Sequence, residues 1–149
     1  MADTGYTIAQ AAARCGLPES TLRYWERIGL MQPIERDGSS GHRRYREADV
    51  MVLETLANLR AVGLSIDDMR TYLAGARRGD DAAAEQRALF EAHSRRLGTE
   101  IDALRLRRRY LDLKVQYWGA REAGDLDRTD AVASELSTVI RRINPKDTA

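Results

Sequence analysis

Apolar positions in this chain recur at intervals of three and four residues almost throughout, the period of helices that bury one face. Residues 7–12 form a short run of this kind, with Thr7 placed to cap it, and Gly16-Leu17-Pro18 then turns the chain. Residues 19–27 make a second short helix, which Gly29 stops. Residues 35–41 are rich in turn formers and lie between two short extended runs, so residues 30–46 predict a hairpin, or wing. Helical spacing returns over residues 47–62, with Val50, Leu53, Leu56, Ala57 and Leu59 on one face and Gly63 at the end. Ser65 begins a further helix that carries Met69, Tyr72 and Leu73 on one face, with Gly75 as its expected stop.

Residues 77–81 are polar and form the expected domain boundary. Beyond them nothing breaks a helix until about residue 123 except the isolated Gly98. Inside this run Phe90, Leu97, Leu104, Leu111 and Trp118 repeat every seven residues, interleaved with Ser94, Ile101, Arg108 and Val115. That is a coiled-coil heptad with one register apolar throughout and the other mixed. A helix of this length reaches roughly 60 Å at 1.5 Å per residue, too long for so small a chain to bury. The seam formed by Phe90, Leu97, Ile101, Leu104, Leu111, Val115 and Trp118 therefore predicts a homodimer. Gly124 breaks the run, and residues 125–142 make a last helix with the stripe Leu126, Val132, Leu136, Val139 and Ile143. The expected division is a first domain over 5–76, a dimerisation helix over 80–123 and a short C-terminal helix over 124–144.

Two short helices joined by a Gly-containing turn form the helix-turn-helix that sets its second helix in the DNA major groove. Composition narrows where such a surface can lie. Net charge is +1, so phosphate must be attracted by a local patch rather than by the whole molecule. The wing holds Arg36, Arg43, Arg44 and Arg46 against Asp37, beside the helix-turn-helix, and reads as a phosphate-binding tip. Arg outnumbers Lys 22 to two, a bias that suits bidentate phosphate and guanine contacts and equally follows from genome composition. On the second helix, Arg23-Tyr24-Trp25 offers either outward DNA contacts or core aromatics. Adjacent helical positions point about 100° apart, so Tyr24 and Trp25 cannot both face inward.

Other chemistry is sparse. Cys15, His42 and His93 are the only Cys and His residues, far from a metal-ligand spacing, so no metal site is expected. Asp67-Asp68 and Asp80-Asp81 sit where carboxylates favour helix N-termini. With no phosphate loop and no nucleophile motif, neither an enzyme nor a cofactor is expected. One Cys excludes an intramolecular disulfide and fits a reducing compartment. The chain has no N-terminal signal pattern and no apolar run near the roughly 20 residues that span a bilayer, so a cytoplasmic protein without a membrane partner is expected.

Taken jointly, several segments resemble the MerR family of bacterial transcription regulators. They are Tyr6-Thr7-Ile8, the run Ser20-Thr21-Leu22-Arg23-Tyr24-Trp25-Glu26-Arg27-Ile28-Gly29-Leu30, the wing Gly41-His42-Arg43-Arg44-Tyr45, Asp49-Val50, and Leu59-Arg60-Ala61-Val62-Gly63-Leu64-Ser65-Ile66. The resemblance implies a mainly α fold: a winged helix-turn-helix domain, a long antiparallel coiled-coil dimerisation helix and a short C-terminal helix. It also implies that Arg23 and Tyr24 contact DNA from the recognition helix, Arg43 from the wing and Arg60 from the second helix pair. Thr7, Ser20, Thr21, His42 and Tyr45 fall within the same motifs and complete the implied DNA-binding set. Such regulators sit as dimers on near-palindromic operators in double-stranded promoter DNA and distort it, so that RNA polymerase can engage elements spaced too far apart.

Trp25 stands where the family usually has Tyr, and His42 where the wing often has Tyr. The regions flanking the dimer helix lack the Cys of metal-sensing members, and Asn58 stands near the place of a reactive Cys in the aldehyde- and electrophile-responsive branch. Regulation is therefore expected not to depend on Cys15. A small-molecule effector would act near Tyr117, Trp118 and the stripe from Leu126 to Val139, which is otherwise packing surface. The competing reading is an architectural, excisionase-like DNA-bending module, which the heptad argues against because such modules usually lack a dimer helix.

Overall fold

The computed structural model describes residues 5–145 and is almost entirely helical. Its elements are α1 (Ile8–Cys15), α2 (Glu19–Arg27), α3 (Glu47–Ala61), α4 (Ile66–Arg78), a 3-10 turn (Gly79–Ala82), α5 (Ala83–Glu122) and α6 (Leu126–Ile143). The caps read from the sequence set the starts. Thr7 accepts from the Gln10 amide while the Gln10 side chain returns a bond to Thr7 N, a reciprocal capping box. Ser65 likewise accepts from the Asp68 amide, and Asp125, not singled out as a cap in the sequence, accepts from the Arg128 amide at the start of α6. The wing contains no regular strand among the described residues. It is a minimal hairpin closed by a bridge between Arg36 and Arg43, with a second bridge joining Tyr6 to Tyr45.

Two compact units divide between Leu89 and Phe90. The boundary lies beyond the expected polar connector at residues 77–81, because the first turns of α5 pack on the N-terminal unit. Ala82 is buried, Leu89 rests against the core, Arg78 pairs with Glu85 at 2.7 Å, and Gln86 donates to the Tyr72 carbonyl at 2.8 Å. That core gathers Ala11, Leu22, Trp25, Leu30, Met31, Tyr45, Val50, Leu53, Leu56 and Met69 from α1 to α4 and the wing.

Gly75 does not stop α4, which continues to Arg78. The residue is buried, and a Cβ there would lie 2.6 Å from Gln86 Nε2 and 2.7 Å from its Cδ. Gly75 thus does not terminate the helix, and it leaves room for the end of the Gln86 side chain, which donates to the Tyr72 carbonyl.

In the C-terminal unit α5 packs on α6 through Leu113, Val132, Leu136 and Val139, flanked by Leu106, Tyr110, Tyr117 and Ile143. Leu106, Tyr110, Leu113, Tyr117 and Ala120 follow helical spacing and make a stripe that the heptad pattern had hidden. The heptad residues stay uncovered in the single chain: Leu104 is 59% exposed, Leu111 62% and Val115 73%. On α6, Leu126 faces water and Thr129 is buried in its stead, its hydroxyl donating to the Asp125 carbonyl at 2.7 Å. Arg109 pairs with Glu135 at 2.5 Å, and Arg128 donates to Gln116 at 2.6 Å along the same hairpin.

Helix propensity alone would make Gly75→Ala stabilising by about 1 kcal/mol. A Cβ displaces the end of the flexible Gln86 side chain and with it the bond to the Tyr72 carbonyl, worth about 0.5–1.5 kcal/mol, so we expect the two effects nearly to cancel. Urea denaturation of Gly75→Ala, alone and with Gln86→Ala, checks this. In the Gln86→Ala background, where that bond is already absent, Gly75→Ala should stabilise by about 1 kcal/mol.

Candidate nucleic-acid interface

The two faces of α2 are set by burial. Leu22 and Trp25 point into the core, Trp25 with 2% of its surface exposed, while Arg23 and Tyr24 point outward. The aromatic alternative is thereby settled: Trp25 packs inside, and Tyr24 stays 41% exposed. The Arg27 guanidinium lies over the Tyr24 ring, 5.3 Å from its centroid. At the end of α2, Gly29 takes φ 72° and Arg70 from α4 donates to the Ile28 carbonyl at 2.7 Å.

Asp37 builds the wing tip. Its Oδ1 accepts from the Ser39 amide at 2.9 Å, the Ser39 hydroxyl at 2.5 Å and the Ser40 amide at 2.9 Å, and Gly41 turns the chain at φ 69°. These donors, the Ser39 hydroxyl foremost, hold the Asp37 carboxyl well below the usual carboxylate range. Arg44 N donates to the Glu35 carbonyl and Asp37 N to the His42 carbonyl, both at 2.8 Å, which fixes the hairpin register.

Most of the residues implicated by the motifs fall around two clefts beside α2. One, of about 330 Å³, is lined by Thr7, Ile8, Arg23, Arg36, His42, Arg43 and Arg44, and so brings α1, α2 and the wing together. The other, of about 320 Å³, is lined by Thr21, Tyr24, Trp25, Arg60, Leu64, Ser65, Ile66 and Met69. Ser20 is exposed but lines neither. Tyr45 departs from its expected role as a DNA contact. Its ring is 1% exposed, because it fills the core beneath the wing, and its hydroxyl has no hydrogen-bond partner among the described residues. Burial pushes its pKa up, and the charge of Glu26 adds to the effect.

The arginines of the first cleft are engaged within the chain. Arg23 pairs with Glu19 one turn back at 3.0 Å, both side chains well exposed, an arrangement worth about 0.3–0.5 kcal/mol. Arg36 donates to the Gly41 carbonyl at 3.0 Å, and Arg44 lies 3.7 Å from Asp37. Arg43 differs: its Nε and Nη2 donate to the two Glu26 carboxylate oxygens at 2.9 and 3.3 Å, with both side chains mostly buried. These bonds raise the Arg43 pKa further above its ordinary value. Glu26 and Arg70 escaped the sequence reading, since nothing in the spacing of a lone charge reveals its partner.

A second network ties α1 to α3. Arg14 donates to the Tyr6 hydroxyl at 2.9 Å and pairs with Glu47 and Glu54 at 3.1 and 3.2 Å, while Tyr6 donates to Glu47 at 2.7 Å. The Tyr6 bond, with help from Arg14, lowers the Glu47 pKa. Cys15 is half-buried in a cleft with Asn58 and Arg60, and burial pushes its thiol pKa up, away from the reactive thiolate. Among the described residues no group of three or more His, Cys, Asp or Glu side chains is placed to hold a metal ion, and no helix is long and apolar enough to cross a membrane.

In the C-terminal unit a concavity of about 460 Å³ lies apart from Tyr117 and Trp118, where an effector is expected from the sequence. It is lined by Arg107, Tyr110, Leu111, Ile140, Ile143 and Asn144, while Tyr117 packs on α6 and Trp118 and Leu126 face outward.

Two family descriptions match the chain: MerR HTH family regulatory protein over residues 6–76, and MerR, DNA binding over residues 51–113. The regulator HmrR of Rhizobium leguminosarum bv. viciae is 37% identical over 105 residues, covering 70% of this chain and 80% of its own. An uncharacterized HTH-type transcriptional regulator of Haemophilus influenzae is 34% identical over 108 residues, 72% of this chain and 77% of its own. Among solved structures, HiNmlR, described as a MerR family regulator lacking the sensor domain and bound to promoter DNA, is similar at 32% identity. Its TM-score is 0.59, with 85% of this chain and 94% of that one covered. The chain belongs to the MerR family. It is a DNA-binding transcription regulator with the helix-turn-helix architecture of that family.

The depressed Asp37 pKa gives the wing tip a defined acid response. Its order is complete above the ordinary Asp value of about 3.9 and is lost as pH falls through the lowered folded value. In an NMR titration of a His42→Gln background, which removes the imidazole beside Ser40, the Ser39 and Ser40 amide shifts should stay constant from neutral pH to about 4 and move only below it. Asp37→Ala should abolish that movement. Shifts that move between pH 7 and 5 would contradict the Asp37 assignment.

Proposed function

We propose that the chain acts as a homodimer on a near-palindromic operator in double-stranded promoter DNA, twisting it so that RNA polymerase can engage. The observation that carries this reading is the cleft in which Thr7, Arg23, His42 and Arg43 converge from α1, α2 and the wing. Arg23 and Tyr24 read the major groove from α2, and Thr21 and Arg60 hold the backbone on the far side. Ser20, at the start of α2, reaches a phosphate. Residues 5–76 are the DNA-binding domain in this reading, residues 80–123 the dimerisation helix and residues 124–144 the effector region of a cytoplasmic regulator. A small-molecule effector then belongs to the α5–α6 hairpin.

Dimerisation rests on the uncovered seam of Phe90, Leu97, Ile101, Leu104, Leu111, Val115 and Trp118. Each such side chain gains about 1.5–3 kcal/mol when buried, so several per subunit outweigh the cost of association. Leu104→Asp combined with Leu111→Asp should halve the mass seen in analytical ultracentrifugation and weaken operator binding. An unchanged mass would remove the seam from the account.

DNA titrations of two further variants test the reading surface. Arg23→Ala should lose about 1–3 kcal/mol and relax specificity at one base pair per half-site. Arg43→Ala should weaken all sequences and flatten the dependence of log K on log salt by about 0.9. Wild-type curves from both variants would reject the surface.

A further inference from the structure

Arg43 has five N–H bonds, and the structure commits two of them. Nε and Nη2 grip the Glu26 carboxylate side-on at 2.9 and 3.3 Å, in a pair whose side chains are 24% and 18% exposed. The other guanidinium edge, where Nη1 and Nη2 each direct a proton away from the stem, is left as a planar fork. That edge belongs to a residue lining the cleft with Arg23, Arg36, His42 and Arg44. The neighbouring pairs differ in kind. Arg23–Glu19 is a single contact between exposed side chains, and Arg44–Asp37 is a looser one at 3.7 Å. Glu26 and Arg43 also join separate elements, α2 and the wing, 17 residues apart in sequence. Beneath them lies the buried Tyr45, whose hydroxyl stands in the field of both charges.

We infer that Glu26 is a positioning residue for DNA recognition: it holds Arg43 side-on so that the remaining fork meets a DNA phosphate in one fixed register relative to α2. This rests on the DNA-binding surface proposed above. A carboxylate so near a polyanion lowers affinity by simple Coulomb repulsion, so charge alone predicts tighter binding once it is removed. Positioning predicts the opposite for a specific site. A freed Arg43 still neutralises phosphate on arbitrary DNA, where no register has to be met. It loses the prealigned geometry that a docked operator requires. Glu26 therefore raises the ratio of specific to non-specific affinity rather than affinity itself.

The test uses the full chain, a duplex selected from a randomised pool by the wild-type protein, and a mixed-sequence duplex of equal length. Glu26→Gln should bind the selected duplex about tenfold more weakly and the mixed duplex equally or more tightly, both measured well below its melting temperature. Glu26→Asp should recover part of the ratio. Arg43→Lys, which keeps the charge without the side-on grip, should lower the ratio as Glu26→Gln does. It keeps the proposal falsifiable if the Glu26 variants fold poorly. Adding Glu26→Gln to Arg43→Lys should then lower the ratio no further. An unchanged ratio in Glu26→Gln or in Arg43→Lys, or equally tighter binding to both duplexes, overturns the inference while leaving the DNA-binding surface standing. Failure of the wild-type protein to select any duplex would overturn the surface itself.

Discussion

Leu22 and Trp25 on α2 and Tyr45 at the base of the wing share one buried core, and this shared burial keeps the recognition helix and the wing in a single surface. Truncating an aromatic of this kind in a core costs about 3–5 kcal/mol, a large part of the stability of a domain this size. With Trp25 and Leu22 turned inward, helical geometry leaves Arg23 and Tyr24 no direction but outward. Tyr45 plays the same part for the wing, since its burial sets which way Arg43 and Arg44 point. The Tyr6–Tyr45 bridge and the Tyr6–Arg14–Glu47 network then fasten this surface to α1 and α3.

Electrostatics explains how a chain of net charge +1 serves a polyanion. Positive charge is concentrated around the cleft beside α2, yet it is engaged there by Glu19, Glu26, Asp37 and the Gly41 carbonyl. Internal partners keep the arginines ordered and limit indiscriminate attraction. A weak exposed pair such as Arg23–Glu19 exchanges for DNA at little cost, whereas the mostly buried Arg43–Glu26 pair resists exchange. The two arginines thus suit different tasks, one adaptable and one fixed.

Much of this was legible in the sequence because it is local. Caps at Thr7 and Ser65 mark helix starts, the Gly residues after α1 and α2 mark turns, and the heptad announces one long helix. Long-range packing was less visible. Gly75 looked like a stop, yet α4 runs through it and the Gln86 side chain from another helix lies against it. The second stripe of α5, through Leu106, Leu113 and Tyr117, was masked by the stronger heptad. Tyr45 read as a DNA contact because motif position carries no information on depth. Glu26 was passed over for the same reason: its partner lies on a different element. Leu126 and Thr129 exchanged places because the Asp125 carbonyl satisfies a threonine hydroxyl that composition would put outside.

The account turns on α2 and the wing acting together on DNA while the seam of α5 meets a second chain. Hydrogen exchange on the full-length protein, free and saturated with a selected operator duplex, examines this in one experiment. The account predicts that DNA slows exchange in α2 and at residues 36–44 together. The amides of α5 around Leu104 and Leu111 should already be protected before DNA is added. Protection in α2 without the wing, or new protection confined to α5 and α6, would contradict it.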